Sequence, residues 1–452
     1  MKRIGIVSEN SIDYIKKILE IWENENSVVL IDYRIPKNSI LEMLKLAEVE
    51  LCYTDNFELI EINEKEGIVF KKIEKNKQSI FMVTDDIYNR YYDVISYEDR
   101  EALVLFSSGT TGKMKGICLS HRAINYNVDS IIDYMNVSNT DIMYVVKSLS
   151  HSSALVGELL VALKSKIRLF ISTSNITALQ VMKNIYKFKI SIICLNPTLL
   201  YLYTYNIDDV KKMGQSIKKI YVSGAALDAN IFQRARECFC NANVLNVYGL
   251  TEAGPRVTAQ QEPIIDSRNI VSVGKAIKGV KLKITDKTGN EIENGRVGVI
   301  HVNTVSIFSK YLKDINKIKD EWLNTGDIGY LDKNQELYVL GRGDDVIITA
   351  AHNVYPNEIE QYINEIKEIK NSFVIGIDDI LLGKKVICLY EANENNMDKI
   401  IRNYCKKKLA SYEIPKEFYK VDALPYTVNG KKNRCEAIKL YYEIRKERGY
   451  EK

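Results

Sequence analysis

Apolar residues run from Ile4 to Val7, recur at helical spacing from Ile12 to Trp22, and return as a second run from Val28 to Ile31. Short apolar runs read as strands and 3.6-residue spacing as helix, so the chain opens with a β-α-β unit. The same alternation returns at Leu103 to Phe106, Ile190 to Leu195, Lys219 to Val222 and Val244 to Val247. Helical stretches Ile176 to Phe188 and Asn230 to Cys240 lie between them. Alternation of this kind predicts an α/β fold in which doubly wound sheets are covered by helices on both faces. From about Ser272 the texture changes to short alternating strands separated by Thr288-Gly289-Asn290, Glu293-Asn294-Gly295 and Asp332-Lys333-Asn334, which predicts a β-barrel-like subdomain over about 272–340. The expected division is a large N-terminal domain, 1–343, and a small mobile α+β C-terminal domain, 344–452. No internal repeat interrupts this reading.

Composition narrows the class. With 452 residues, 46% hydrophobic and 27% charged, the chain is long enough for about three compact units and matches an ordinary globular protein. Its 63 basic and 59 acidic side chains leave a formal charge of +4, too small for the footprint of a nucleic-acid binder. The 8 cysteines are scattered, and Cys238 and Cys240 are too close for a CxxC pair, so neither a zinc site nor a disulfide framework is expected. No apolar run approaches a membrane span, and Ile4 to Val7 is too short for a signal peptide core. A reduced, cytoplasmic protein is the expectation.

The most informative segment is Leu103-Val104-Leu105-Phe106 followed by Ser107-Ser108-Gly109-Thr110-Thr111-Gly112-Lys113-Met114-Lys115-Gly116. Glycines let backbone N–H groups turn toward an anion, hydroxyls add donors, and lysines add charge, so this loop is suited to phosphate. It is not a Walker loop, because Gly109 and Gly112 enclose only Thr110 and Thr111. Gly341-Arg342-Gly343 likewise lacks the third glycine of a dinucleotide fingerprint, having Val346 there.

Ser107 to Gly116 resembles the phosphate loop, [ST]-S-G-[ST]-T-G-x-P-K-G, of the acyl-adenylate-forming (AMP-binding) ligases, a superfamily of acyl-CoA synthetases, stand-alone adenylation domains and luciferase. Further segments agree in the family's order: Tyr221 to Leu227 with Gly224 and Ala225, Asn246-Val247-Tyr248-Gly249-Leu250-Thr251-Glu252 with Y-G-x-T-E, and Thr325-Gly326-Asp327 with T-G-D. Gly341 to Asp345 matches the hinge, and Leu424 to Lys431 matches L-P-x-T-x-x-G-K. The resemblance spans essentially the whole chain. It implies an ATP- and Mg²⁺-dependent ligase that joins a small carboxylic acid to AMP and passes the acyl group to a thiol, either CoA or the phosphopantetheine of an acyl carrier protein. It also assigns roles. Thr110, Thr111 and Lys115, within the Ser107 to Lys115 loop, would bind the β- and γ-phosphates, Thr251 the α-phosphate, and Glu252 the metal. Asp327 and Arg342 would hold the ribose, Tyr248 would flank adenine, and Gly224, Ala225, Asn246 and Gly249 would line the nucleotide and acyl pockets. Lys431 would bridge carboxylate and α-phosphate as the catalytic cation, His151 would close the acyl site, and Asp344 would be the hinge.

Elementary chemistry agrees with these residue types: two anions must meet and charge growing on phosphorus oxygens must be neutralised. Ser152 stands where relatives that activate amino acids carry Asp. Because an uncompensated buried ammonium is costly, a simple organic acid is expected. His121 in Ser120-His121-Arg122-Ala123 reads equally as a packed helix start and as a functional group. Three features depart from the pattern. Met114 replaces the loop proline. Ile348 and Ala351 replace Lys and Gly of I-K-x-x-G, where an added methyl is expected to narrow the pantetheine passage and to favour an amine or other non-thiol acceptor. The N-terminus is short against the family, so one face is expected to be exposed or covered by a partner. A non-catalytic nucleotide-binding subunit is the remaining alternative, opposed by Lys431, Glu252 and Asp327.

Overall fold

The computed structural model describes residues 1–61, 67–76, 78–108, 114–173, 176–205, 209–312, 318–319, 321–350, 352–427 and 432–447. The opening unit is a strand Arg3–Val7, a helix Ile12–Glu23 and a strand Ser27–Leu30 parallel to the first. Ser11 starts the helix by accepting from Tyr14 N at 3.0 Å, giving one unpaired N–H of the first turn its acceptor. Its apolar stripe, Tyr14, Ile15, Ile18, Leu19 and Trp22, is buried.

Two large sheets organise the first three hundred residues. One has seven strands in the order Lys310–Tyr311, Met114–Ser120, Glu101–Ser108, Ser27–Leu30, Arg3–Val7, Leu51–Thr54, Val69–Lys72. The other has eight, in the order Lys275–Ala276, Thr258–Ala259, Asn243–Tyr248, Lys219–Val222, Ile192–Leu195, Ile142–Val145, Arg168–Ser172, Ile80–Met82. Both are parallel at the centre and antiparallel toward an edge. One continuous core contains Leu103 and Leu105 of the first sheet, Met143 and Val145 of the second, and Ile18, Ile124, Val128 and Leu159 from helical segments between them. Helix Lys37–Leu46 packs with the other face of the first sheet. Helices Ala178–Phe188 and Ala229–Cys238 pack with the other face of the second. Helices on both faces are the doubly wound arrangement that the alternation predicts.

The alternating segment after residue 272 supplies an antiparallel five-stranded sheet, Val280–Thr285, Gly298–Thr304, Trp322–Leu331, Ile318–Lys319 and Leu337–Arg342. A fourth sheet, also five-stranded, holds Ile347–Thr349, His352–Val354, Ile369–Asp379, Gly383–Ala392 and Glu417–Lys420, with helices Pro356–Asn364, Asp398–Cys405 and Arg434–Glu447 beside it. This sheet has its own cores around Ile359, Val374, Val386 and Ile401, and around Phe373, Ile387, Leu389 and Tyr441. All eight cysteines are free thiols, and no described helix is long and apolar enough to cross a membrane.

Candidate active site

The strands on either side of the phosphate segment pair antiparallel. Strand Glu101–Ser108 pairs with Met114–Ser120 through Phe106↔Gly116, Ser107↔Lys115 and Ser108↔Met114. Gly109, Thr110, Thr111 and Gly112 lie outside the described residues, as do Ala351 and Lys431. Lys115 is half-buried, and its Nζ stands 5.5 Å from the centre of the Tyr311 ring. The Tyr311 hydroxyl donates to Glu252 Oε1 at 3.1 Å. One aromatic ring therefore links the loop's lysine to the carboxylate expected to hold the metal, although the two come from different sheets.

Thr251 and Glu252 sit on a short 3₁₀ turn, Thr251–Ala253, beyond the end of strand Asn243–Tyr248. Loops at the carboxyl ends of parallel strands are where open α/β sheets bind ligands. Gly249 is obligatory here, because an added Cβ would lie 1.8 Å from the Pro255 carbonyl oxygen. The Thr251 Oγ1 is 3.1 Å from Ser152 Oγ, which joins this turn to the start of helix Ser152–Ala154. His151, the residue preceding that helix, has its Nε2 3.2 Å from Asp32 Oδ2. Asp32 is buried and also accepts from Arg34 Nε at 2.9 Å and Arg34 N at 3.0 Å. Burial opposes its ionisation, but the hydrogen bonds from Arg34 and His151 prevail and hold the carboxyl well below the usual carboxylate range.

The third cluster is built on paired strands. Asp327 on Trp322–Leu331 is opposite Arg342 on Leu337–Arg342. Arg342 Nη1 donates to Asp327 Oδ1 at 3.1 Å and to the Thr325 carbonyl at 2.8 Å. The Tyr248 hydroxyl donates to Asp327 Oδ2. Burial first, and then the Asp327 carboxylate, push the Tyr248 phenol well above its ordinary value, which keeps it a donor. A carboxylate has about four acceptor positions, so Asp327 can still accept from a vicinal diol while held by these two partners. Asn246 is engaged elsewhere: its Nδ2 donates to Ser272 O at 3.1 Å and its backbone N–H to Gln260 Oε1 at 2.8 Å, with 3% of the residue exposed. Gly224 and Ala225 are exposed just beyond strand Lys219–Val222.

Asp344 lies in the turn Gly343–Asp345 between the third and fourth sheets, with its carboxylate 4.0 Å from Arg342 Nη2. On either side of residues 428–431, Tyr426 bridges Lys432 and Asn433 N donates to Pro425 O at 3.0 Å. Arg434, three residues on, binds Glu360 Oε1 at 2.8 Å, Asn357 Oδ1 at 2.9 Å and Asp345 Oδ2 at 3.3 Å. Arg434 thus ties the start of helix Arg434–Glu447 to the residue that follows Asp344. His121 is a packing residue. It is 3% exposed, its ring meets Trp22 edge-on at 5.6 Å, and burial with nearby Arg100 pushes it down to about 4. Sequence reasoning missed Asp32 and Tyr311. Asp32, directly after an apolar run that reads as a parallel strand, carried the one available signal.

The sequence model of the family described as "AMP-binding enzyme" matches residues 1–312, and that of the "AMP-binding enzyme C-terminal domain" matches 358–431. The chain belongs to the AMP-binding enzyme family. A 2-succinylbenzoate–CoA ligase of Enterococcus faecalis is 25% identical to this AMP-binding enzyme over 95% of the chain and 87% of the relative. In fold it is similar to ATP-bound MatB from Rhodopseudomonas palustris, with a TM-score of 0.87, 22% identity, and coverage of 98% and 89% of the two chains. It is also similar to o-succinylbenzoate CoA synthetase from Bacillus subtilis in complex with the acyl-adenylate OSB-AMP, with a TM-score of 0.82, 21% identity, and coverage of 96% and 88%. The family and fold expected from the ordered motifs are those found. Glu252 also suits the metal. Among the described residues no cluster of three or more His, Cys, Asp or Glu could hold an ion, and Mg²⁺ is commonly bound by one or two carboxylates together with substrate phosphates.

Proposed function

We propose that this AMP-binding enzyme activates a small organic acid with ATP and transfers the acyl group to CoA. In the first half-reaction a carboxylate oxygen attacks the α-phosphorus and pyrophosphate leaves, giving an acyl-AMP. In the second, a thiolate attacks the acyl carbonyl and AMP leaves. Lys115 and the hydroxyls of Thr110 and Thr111 bind the β- and γ-phosphates, and Thr251 donates to the α-phosphate. Glu252 holds Mg²⁺, which when bound neutralises phosphate charge. Asp327, kept in place by Tyr248 and Arg342, accepts the ribose hydroxyls. Lys431 supplies positive charge between carboxylate and α-phosphate, where a compact ammonium on a flexible stem suits two converging anions. His151, held by Asp32, closes the acid's side of the site.

The observation that carries this reading is the Tyr311 ring with Lys115 on its face and Glu252 on its hydroxyl, which brings an ammonium and a carboxylate together and supports assigning them to phosphate and metal. Ser152, hydrogen-bonded to Thr251, offers no charge to an ammonium, which supports an acid without an α-amino group. CoA is favoured as acceptor because the similar proteins bear the names of CoA ligases; an acyl carrier protein is the competing thiol.

The test is ATP–pyrophosphate exchange over a panel of organic acids, followed by thioester formation with CoA or a holo carrier protein. Exchange that depends on one acid class, with thioester from CoA, is expected. Lys431→Ala should lower exchange by about 10²–10³, because its charge acts on the developing transition state more than on bound nucleotide. Exchange within a few-fold of wild type would remove Lys431 from the chemistry.

A further inference from the structure

Helix Pro356–Asn364 carries Asn357, Glu360 and Asn364 at helical spacing, so the three lie along one face. Asn364 Oδ1 accepts from Ser372 Oγ at 2.8 Å, and Asn357 Oδ1 accepts from Arg434 Nη2 at 2.9 Å. Between them Glu360, only 1% exposed, takes three donors. Its Oε1 accepts from Val374 N at 2.7 Å and from Arg434 Nη1 at 2.8 Å, and its Oε2 accepts from Lys432 Nζ. Burial opposes ionisation of this carboxyl, but the Arg434 charge and then that of Lys432 hold it below the ordinary carboxylate range.

A buried ion cluster is a poor source of stability, because each ion gives up its hydration and apolar side chains of similar volume pack as well or better. What charge supplies here is position. The two cations that Glu360 fixes, Lys432 and Arg434, directly follow residues 428–431, which lie outside the described residues. On the other side of those residues, Tyr426 accepts from Asn371 Nδ2, sets its ring edge-on to Phe373 at 5.1 Å and bridges Lys432. The Lys432 ammonium stands 5.1 Å from the centre of the same Phe373 ring. Consecutive Cα atoms are about 3.8 Å apart, so fixing Lys432 confines the point from which the Lys431 side chain starts. Arg434 also reaches Asp345 Oδ2 at 3.3 Å, which joins the hinge turn to the same network.

We propose that Glu360 is a positioning residue for the first half-reaction: by holding Lys432 and Arg434, its buried carboxylate fixes where Lys431 starts and so sets the rate at which acyl-AMP forms. The inference rests on the reading of Lys431 as the cation between carboxylate and α-phosphate. Glu360 acts through its two basic partners and not on the acid or the nucleotide. A lysine stem is long and flexible, so the ammonium reaches two converging anions in one geometry only if its base is held, and a misplacement of about 1 Å can cost on the order of 10² in rate. In the second half-reaction the thiolate attacks the acyl carbonyl and AMP leaves, a step to which the reading assigns no role for Lys431. Glu360 therefore matters to the first step and not to the second, whereas a residue that only supports the fold would affect both.

The experiment measures ATP–pyrophosphate exchange, with the acid that the panel selects, and thioester formation from preformed acyl-AMP, on full-length variants whose folding is checked by thermal melts. Glu360→Gln keeps the shape and an oxygen for Val374 N but removes the charge. It should lower kcat for exchange by about 10-fold to 10²-fold, leave KM for ATP within about twofold, and keep thioester formation within about twofold of wild type. Lys432→Met retains a stem against Phe373 and loses the ammonium; it should show the same split to a smaller extent, and it carries the test if the Gln variant does not fold. Lys431→Ala should lower exchange more than either, and adding Glu360→Gln to it should lower exchange no further, because both changes act through one group. Equal losses in the two half-reactions, exchange unchanged by Glu360→Gln and Lys432→Met, or additive losses in the double variant would overturn the positioning role, while the loss in Lys431→Ala keeps the adenylation reading. Near wild-type exchange by Lys431→Ala would instead remove Lys431 from the first half-reaction, and this role of Glu360 with it.

Discussion

At the scale of single residues, Asp327 shows how one carboxylate is prepared for a ligand before it arrives. Arg342 and Tyr248 each take one of its oxygens, and its backbone N–H donates to Thr325 Oγ1 at 3.0 Å. Asp327→Ala should weaken ATP binding for every acid by roughly 1.5–3 kcal/mol, the range for a hydrogen bond to a charged group, and leave the order of acid preference unchanged. Isothermal titration with ATP measures the first and pyrophosphate exchange the second; an altered acid order would place Asp327 in the wrong pocket. His121 makes a different kind of prediction. Its imidazole, pushed down to about 4 mainly by burial, is neutral in the folded protein and titrates near 6.5 when unfolded. Stability from this group is therefore complete above about pH 6.5 and is lost as pH falls toward 4, by about 3 kcal/mol in total. Urea unfolding of wild type and His121→Leu at pH 7 and pH 4.5 should show the wild type losing more; parallel losses would contradict the packing role.

At the scale of elements, the hairpin Ile347–Thr349 and His352–Val354 is where the sequence departs from the family at Ile348, and its turn holds a left-handed alanine. Ala350 adopts φ 46° in its turn while its N–H donates to Leu382 O at 2.8 Å. A left-handed residue with a Cβ costs roughly 1–2 kcal/mol, partly offset by the greater freedom that glycine would lose on folding. Ala350→Gly should raise stability by about 0.5–1 kcal/mol, read as a higher urea midpoint with unchanged m. An equal or lower midpoint would mean that the turn is not strained. Ile348, standing for the family's lysine, is 53% exposed on the strand before this turn, so its apolar side chain is not part of the adjoining core. The contrast with strand Glu101–Ser108 is physical. That strand is buried by both its sheet and its helices, so its apolar run alone announces it.

At the scale of the whole molecule, the fourth sheet and its helices meet the rest through Tyr355, which packs against Ile270, Tyr330, Tyr338 and Leu340, and through polar contacts. Arg268 Nη1 lies 3.3 Å from Glu358 Oε1, Asn269 Nδ2 donates to Glu365 Oε1 at 3.0 Å, and Asn230 Nδ2 donates to Asn364 O at 3.3 Å. The polar contacts can exchange for water, as reorientation of this unit would require. The turn Gly343–Asp345 is the covalent connection, and Asp344 is exposed within it. Asp344→Pro fixes φ near −65°, so it should leave pyrophosphate exchange measurable and block thioester formation from preformed acyl-AMP. Thioester formation at the wild-type rate would place the hinge elsewhere.

What the sequence determined alone was whatever depends on local order: the β-α-β rhythm, the change to short antiparallel strands after residue 272, and the succession of glycine, hydroxyl and acidic motifs. Periodicity and turn chemistry act between neighbours a few residues apart, so they can be read from one chain. Asp32 under His151 and Tyr311 between Lys115 and Glu252 required the tertiary structure. Each joins residues far apart in the chain, and only the packing of two sheets around shared helices decides which polar groups meet.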